Sequence, residues 1–335
     1  MVVYTIIVTY SNTNNREKKL IKMSALLFPG QGSQAIGMGS EFYSNFDTVK
    51  RIFQEADEVL KFSISKLILE GPEDKLQLTQ NTQPAILTVS YSIYQIMKME
   101  FGIDFNSFKY FAGHSLGEYS ALVCSESLVL KDALYLLHQR GKAMQEAVPI
   151  GNGSMIAVLG LKIEEIIKIL QNKRDIKGVC EIANDNAEGQ VILSGDNECV
   201  QSLKNFLKEK KIKCIPLKVS APFHCSLMKP AAEAMKEKIN NTDFKKPLFE
   251  IVNNVTGKSE REPENIKPLL IDQIFSSVKW RESLIYMSNA GVKNFIEVGP
   301  GKALSGMVKR TIKDSNCFSI NSIADIKKIQ NELKI

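Results

Sequence analysis

A serine set between two glycines constrains this chain more than any other segment. Gly113-His114-Ser115-Leu116-Gly117 reads G-x-S-x-G and follows the short run Phe108-Lys109-Tyr110-Phe111-Ala112. This is the pattern of a nucleophile elbow, in which a serine is held on a sharp strand-to-helix turn. The flanking positions need glycine because a Cβ there would collide with the neighbouring strand or helix. The turn lifts the hydroxyl clear of the sheet and leaves the free N–H groups of the next helix facing a reacting carbonyl. By itself the pattern occurs by chance in about one chain of this length in ten. Its context adds weight: a strand-like lead-in, then Glu118-Tyr119-Ser120-Ala121-Leu122-Val123, which begins like a helix.

The 335 residues are 44% hydrophobic and 24% charged, enough for one large domain with an insertion or for two domains. The net charge of +6 is scattered, with no basic block resembling a nucleic-acid arm. Six cysteines (Cys124, Cys180, Cys199, Cys214, Cys225, Cys317) include no C-x-x-C pair, so reduced thiols are expected rather than a disulfide framework or a zinc site.

Residues 1–22 differ from the rest. Val2–Tyr10 is apolar but too short to span a bilayer, and it lacks a basic start and a small-residue cleavage site. A polar linker with Arg16-Glu17-Lys18-Lys19 follows, and Met23 opens a clean strand, Ala25–Phe28. We expect the first 22 residues to be a disordered or non-native extension with translation starting at Met23; an organelle-targeting leader is the rival reading.

From Ser24 onward strands and helices alternate, which implies the α/β class with a largely parallel sheet. Ala25–Phe28 runs into the glycine-rich loop Pro29–Gln34. Helical patterns follow at Asp47–Leu60, at Pro84–Met99 (with Pro84 suited to the first turn), at Glu118–Cys124 and at Lys131–Gln145. Between 153 and 218 the pattern is strand (Met155–Leu159), helix (Ile163–Leu170), strands (Val179–Ala183, Val191–Ser194), helix (Cys199–Lys210) and strand (Ile212–Val219). That βαββαβ order reads as an inserted ferredoxin-like subdomain over 151–219, inside a catalytic domain of 23–150 and 220–320. The main domain resumes with a helix at Leu227–Ile239, a strand at Phe249–Asn253, a helix at Trp280–Ala290, a strand at Asn294–Val298 and a helix at Ala303–Thr311. Residues 321–335 are expected as a C-terminal tail.

A serine nucleophile needs a base, since its hydroxyl is un-ionised at neutral pH. Of three histidines, His114 sits beside Ser115 on the turn and points away from it. His138 falls mid-helix, where a packed or surface role is the plainer reading. His224 lies in the loop Ser220-Ala221-Pro222-Phe223-His224-Cys225 between a strand and a helix, where functional groups concentrate. On physical grounds His224 is preferred.

Six segments in one order carry a resemblance: FPGQGSQ at 28–34, TQPA at 82–85, GHSLGE at 113–118, RG at 140–141 with MQ at 144–145, APFHC at 221–225 and EVGPG at 297–301. Together they resemble the malonyl-CoA:acyl-carrier-protein transacylases, the acyltransferases that supply malonyl units to fatty acid synthesis. The resemblance runs from about Ser24 to past Arg310. It implies an α/β-hydrolase-like large domain carrying a ferredoxin-like small one, and ping-pong transfer through a malonyl-serine intermediate. Ser115 is implied as nucleophile and His224 as base, oriented by the main-chain carbonyl of Gln273. The backbone N–H groups of Gln31 and Leu116 are implied as the oxyanion hole. Arg140 corresponds to the family arginine that grips the malonyl carboxylate; without the resemblance it reads as a solvated surface charge. Phe223 corresponds to a position where related polyketide acyltransferase domains pair phenylalanine with malonyl units. Asn184 and Asn186 resemble asparagines lining the cleft, with turn residues as their plain reading.

The implied partners are malonyl-CoA as substrate and an acidic carrier protein bearing the phosphopantetheine. Lys302, Lys309 and Arg310 are candidates for carrier docking, with a solvated helix face as the alternative for Lys309 and Arg310. No bound cofactor, metal, nucleic acid or membrane is expected, and a monomer in the cytoplasm is, with a plastid or mitochondrion as the alternative. A hydrolase of the same elbow would place an acid between serine and histidine in chain order; Asp185 and Asp196 lie there, but inside the expected small domain.

Overall fold

In the computed structural model, residues 24–172, 177–219 and 221–334 are described. The expectations for residues 1–22 and for a start at Met23 lie outside them. The strands among the described residues are β1 (Ser24–Phe28), β2 (Tyr110–Gly113), β3 (Gly153–Leu159), β4 (Cys180–Ala187), β5 (Gln190–Asp196), β6 (Lys213–Pro216), β7 (Glu250–Val252), β8 (Ser259–Glu260), β9 (Asn294–Val298) and β10 (Asn316–Ile320). Six of them form one sheet in the order β10-β9-β1-β2-β7-β8. It is parallel except for the edge strand β8, which runs antiparallel to β7. Parallel sheets are covered on both faces, so their strands read as unbroken apolar runs. In β1, Leu26 and Phe28 face one core layer and Ala25 and Leu27 the other, and Phe111 of β2 opposes Tyr110 and Ala112 in the same way.

The second sheet is antiparallel, in the order β4-β5-β3-β6. The amphipathic helices Ile163–Asn172 and Asn197–Glu209 cover one face through Ile166, Val200, Leu203 and Leu207. This module enters after the helix Leu130–Glu146 and leaves before the helix Lys229–Asn241. It is tied back to the larger unit at β4: Asp185 N–H donates to Val278 O at 3.0 Å and Val278 N–H to Ala183 O at 2.8 Å. Arg281 Nε adds an ion pair with Asp185 at 2.9 Å.

Several element expectations need correction. The helix expected from Pro84 begins at Thr79, so Pro84 sits inside it. Proline lacks the N–H that would bond the carbonyl four residues back, and that carbonyl, Gln80 O, instead lies 2.9 Å from His138 Nδ1. The helix Leu130–Glu146 reaches it because Gly141, one turn on, packs so closely that a Cβ would stand 2.5 Å from Gln80 Cα. β4 runs on to Ala187, past the expected Ala183, through irregular pairings at Ile182/Asn184 and Asp185/Ala187; Asn184 and Asn186 therefore belong to a strand rather than a turn. β6 stops at Pro216 instead of Val219. The C-terminal tail carries a helix, Ile323–Leu333, started by a capping box between Ser322 and Asp325 and anchored by buried Ile326 and Ile329. β10 and the helices Ile64–Glu70 and Pro263–Gln273 were not expected. All six cysteines are free.

His138 is thus a repair of the proline break. His138→Leu should lower stability by about 1 kcal/mol, the usual loss when an intramolecular hydrogen bond to a carbonyl is removed. Pro84→Ala restores a helical donor, so the double variant should recover part of that loss. Urea unfolding midpoints of the four proteins test this; strict additivity would contradict it.

Candidate active site

The loops after β1, β2 and β9 meet at the carboxyl end of the large sheet, where open α/β sheets bind their ligands. Gly113 and Gly117 close the elbow. A Cβ on Gly113 would stand 1.9 Å from Gly117 C, and one on Gly117 would stand 2.3 Å from Phe28 O. Between them Ser115 takes a left-handed backbone, φ 53°, a conformation that costs a residue with a Cβ about 1–3 kcal/mol and needs local support. Asn254 supplies it: its Oδ1 accepts from Ser115 N–H at 2.7 Å and its Nδ2 donates to Gly113 O at 2.8 Å.

Ser115 Oγ lies 2.8 Å from His224 Nε2, and His224 Nδ1 lies 2.8 Å from the main-chain oxygen of Gln273. A carbonyl only accepts, so Nδ1 carries the proton and Nε2 presents its lone pair to the serine. Burial first, and then the neighbouring Arg140 charge, hold the His224 imidazole far below its ordinary range, down to about 3. Among the described residues no carboxylate bonds this histidine: Asp185 pairs with Arg281, and Asp196 accepts from Val179 N–H.

Arg140 is no surface charge; it is 1% exposed. One terminal nitrogen donates to Gln83 Oε1 at 2.7 Å, and the other to Gln273 Oε1 at 2.8 Å and to Ser115 Oγ at 3.1 Å. Its Nε has no partner among the described residues, and its Cζ lies 5.9 Å from the Tyr119 ring centre. Burial pulls its pKa down. The amide of Gln273 continues the network, donating to Glu118 Oε2 at 2.7 Å and to Ser115 O at 3.1 Å. Glu118 Oε2 also accepts from Asn254 N–H at 3.0 Å. Burial raises the Glu118 carboxyl to about 7 against the pull of these bonds and of Arg140.

A cleft of about 340 Å³ opens over these groups between the two sheets. Gln31, Ser115, Leu116, Arg140, Phe223 and His224 line it, together with Met155 of β3, Asn184 of β4 and Leu217 and Val219 after β6. Leu116 N–H, at the start of the helix Gly117–Cys124, and Gln31 N–H have no intramolecular acceptor among the described residues. Asn186 is set back from the cleft, with its Oδ1 2.8 Å from His114 Nε2, which turns His114 away from the serine. Lys302 is exposed beside the turn Gly299–Gly301, which packs on Pro29 and Ser33. Lys309 and Arg310 are exposed in the last turn of the helix Ala303–Thr311, about 11 Å further along its axis, and do not reach the cleft.

Gln83, Glu118 and Asn254 were not singled out from the sequence. Gln83 and Glu118 stand inside the quoted motifs TQPA and GHSLGE, a signal that could have found them; Asn254 stands in none.

The chain matches the acyl transferase domain family over residues 25–333. It is 43% identical over 313 residues to the malonyl CoA-acyl carrier protein transacylase of Bacillus subtilis, covering 92% of this chain and 97% of that one. An acyl-carrier-protein-S-malonyltransferase structure from Bartonella henselae is similar with a TM-score of 0.90 at 38% identity, covering 93% of this chain and 99% of that one. A malonyl-transacylase solved in complex with its type II PKS acyl-carrier protein gives a TM-score of 0.88 at 37% identity, with 92% and 99% covered. With a match running from the first strand to the last helix, this chain belongs to the acyl transferase family and, within it, to the malonyl CoA-acyl carrier protein transacylases.

Proposed function

We propose that this protein moves a malonyl group from coenzyme A to the phosphopantetheine thiol of an acyl carrier protein through a malonyl ester on Ser115. The observation that carries the reading is the buried Arg140 guanidinium 3.1 Å from the nucleophile oxygen. An arginine there has no use for a neutral acyl chain, but its planar fork pairs with the carboxylate that a malonyl group carries at its free end.

His224 Nε2 takes the Ser115 proton as the hydroxyl attacks the thioester carbonyl, and returns it to the leaving thiol. The N–H groups of Gln31 and Leu116 receive the oxyanion, each donor contributing ~2.7–4 kcal/mol in comparable sites. Gln273 orients the base through its main-chain carbonyl and Arg140 through its side chain. Coenzyme A then leaves, and the carrier thiol enters the same cleft and repeats the steps in reverse. Phe223 and Asn184 shape the acyl chamber, while Asn186 acts through His114 rather than on substrate. Lys302, exposed beside the turn that packs on Pro29 and Ser33, is the docking candidate we retain. The division into an α/β-hydrolase-like unit (23–150 and 220–320) and a ferredoxin-like one (151–219) belongs to the same reading; the strand order β4-β5-β3-β6 and its two helices support the second part. A hydrolase reading is disfavoured by the carbonyl, rather than a carboxylate, on His224 Nδ1.

Two-substrate kinetics with malonyl-CoA and holo carrier protein should give parallel double-reciprocal lines; intersecting lines would require both substrates bound at once. Arg140→Gln should lower kcat/KM for malonyl-CoA by about 100-fold or more while sparing acetyl-CoA, because a guanidinium left unpaired penalises acetyl only in the wild type. The pH profile of kcat/KM reports the free enzyme. Protonated His224 cannot act as base, so activity falls as pH drops through its pKa; with that pKa held down to about 3, no loss should occur between pH 7 and 5. An acid limb at the ordinary imidazole value of about 6.5 would contradict the buried, Arg140-facing base. In Arg140→Gln the limb should move upward.

A further inference from the structure

One buried acid of the site takes no part in these steps. Glu118 is 2% exposed and sits in the first turn of the helix Gly117–Cys124, three residues after the nucleophile. The amide of Gln273 spans the space between it and Arg140, accepting from the guanidinium at 2.8 Å and donating to the carboxylate at 2.7 Å. An amide cannot carry charge, but it fixes the two ions at one separation inside a volume shielded from water. The elements around Glu118 present little else that titrates. The loop after β7 offers Asn254, the helix Pro263–Gln273 offers Gln273, the helix Leu130–Glu146 offers Arg140, and its own helix offers Tyr119, whose phenol burial pushes up to about 12. Among the described residues Arg140 is therefore the charge that acts on it.

With the cleft empty, one guanidinium faces one carboxyl group. A substrate carboxylate on the front of Arg140 brings a second anion into the same low-dielectric space, and two carboxylates sharing one cation do not both stay ionised. We propose that Glu118 is the proton-exchanging counter-charge of Arg140, shared between its ionised and protonated forms opposite it in the empty cleft and protonated when a substrate carboxylate takes up the guanidinium. The proton comes from solvent, adds to a Glu118 carboxylate oxygen, and leaves again when the malonyl group departs; no covalent bond other than O–H changes. This rests on the reading of Arg140 as the carboxylate clamp. It deepens that reading: Glu118 is a positioning residue that makes malonyl loading proton-linked and leaves acetyl binding without such linkage. Its carboxyl, raised to about 7, exchanges in the range where the two states compete.

The test is calorimetric titration of malonyl-CoA into Ser115→Ala, where no covalent step follows, in buffers of different ionisation enthalpy at pH 7. A carboxyl near half-ionised takes up about half a proton per site on loading. Ser115→Ala/Glu118→Gln, which keeps an acceptor for Gln273 and Asn254, should take up almost none, and acetyl-CoA should give none with either protein. Equal uptake by both variants, or carboxylate-dependent binding without uptake, overturns the role of Glu118 and leaves the clamp intact. Equal affinity for malonyl-CoA and acetyl-CoA sinks the clamp itself. Should the double variant fail to fold, the pH dependence in Ser115→Ala decides. Uptake at Glu118 shrinks below pH 6, where the carboxyl already holds its proton, whereas uptake at His224 would grow.

Discussion

Burying a guanidinium beside a serine hydroxyl is unfavourable unless neighbouring groups replace the lost water. Arg140 is in this position, and much of the site follows from it. Gln83 and Gln273 supply acceptors, Gln273 is in turn held by Glu118, and Glu118 is held by Asn254 N–H. The same Asn254 brackets the strained serine, and the main chain of the same Gln273 holds His224. Ser115, His224 and Arg140, the proposed nucleophile, base and clamp, are therefore parts of one hydrogen-bonded network, so a change at one should be felt at the others.

The cation also decides how His224, the proposed base, behaves. An imidazole buried next to a fixed positive charge stays neutral in the empty enzyme, which keeps its lone pair on the serine. A carbonyl orienter suits this better than an aspartate, because it fixes the tautomer without adding an anion that would favour the protonated imidazole. The left-handed backbone at both Ser115 and His224, φ 53° and 57°, is the conformational cost of aiming these two side chains at each other from loops of different origin.

The parts of this arrangement that were legible in the sequence were short-range ones. Gly113 and Gly117 foretold the elbow because the collision they avoid is local, and Asp47–Leu60, Asn294–Val298 and Ala303–Thr311 follow their periodicity to the residue. The start of the helix around Pro84 was misplaced because its broken hydrogen bond is repaired from 58 residues away by His138, which no local pattern encodes. Arg140 on a helix reads as solvated until Gly141 is seen pressed against Gln80, which sinks that face into the core. Asn254, 139 residues from the serine it brackets, carries no chain-local signal at all. The helix Pro263–Gln273 offers a weak apolar pattern, with Pro268 inside it and only Ile266 and Leu270 as buried apolar side chains; the helix Ile323–Leu333 did carry a local signal, Ser322 and Asp325 followed by Ile326 and Ile329, that the reading of the sequence passed over.

The proposed chemistry requires that Ser115 carry the acyl group and that Arg140 select it. Intact-protein mass spectrometry after brief incubation with malonyl-CoA, and separately with acetyl-CoA, reads both at once. A single malonyl adduct on the wild type, absent from Ser115→Ala and nearly absent with acetyl-CoA, is the predicted result. Free malonate released without an adduct, or an adduct that persists in Ser115→Ala, would contradict it.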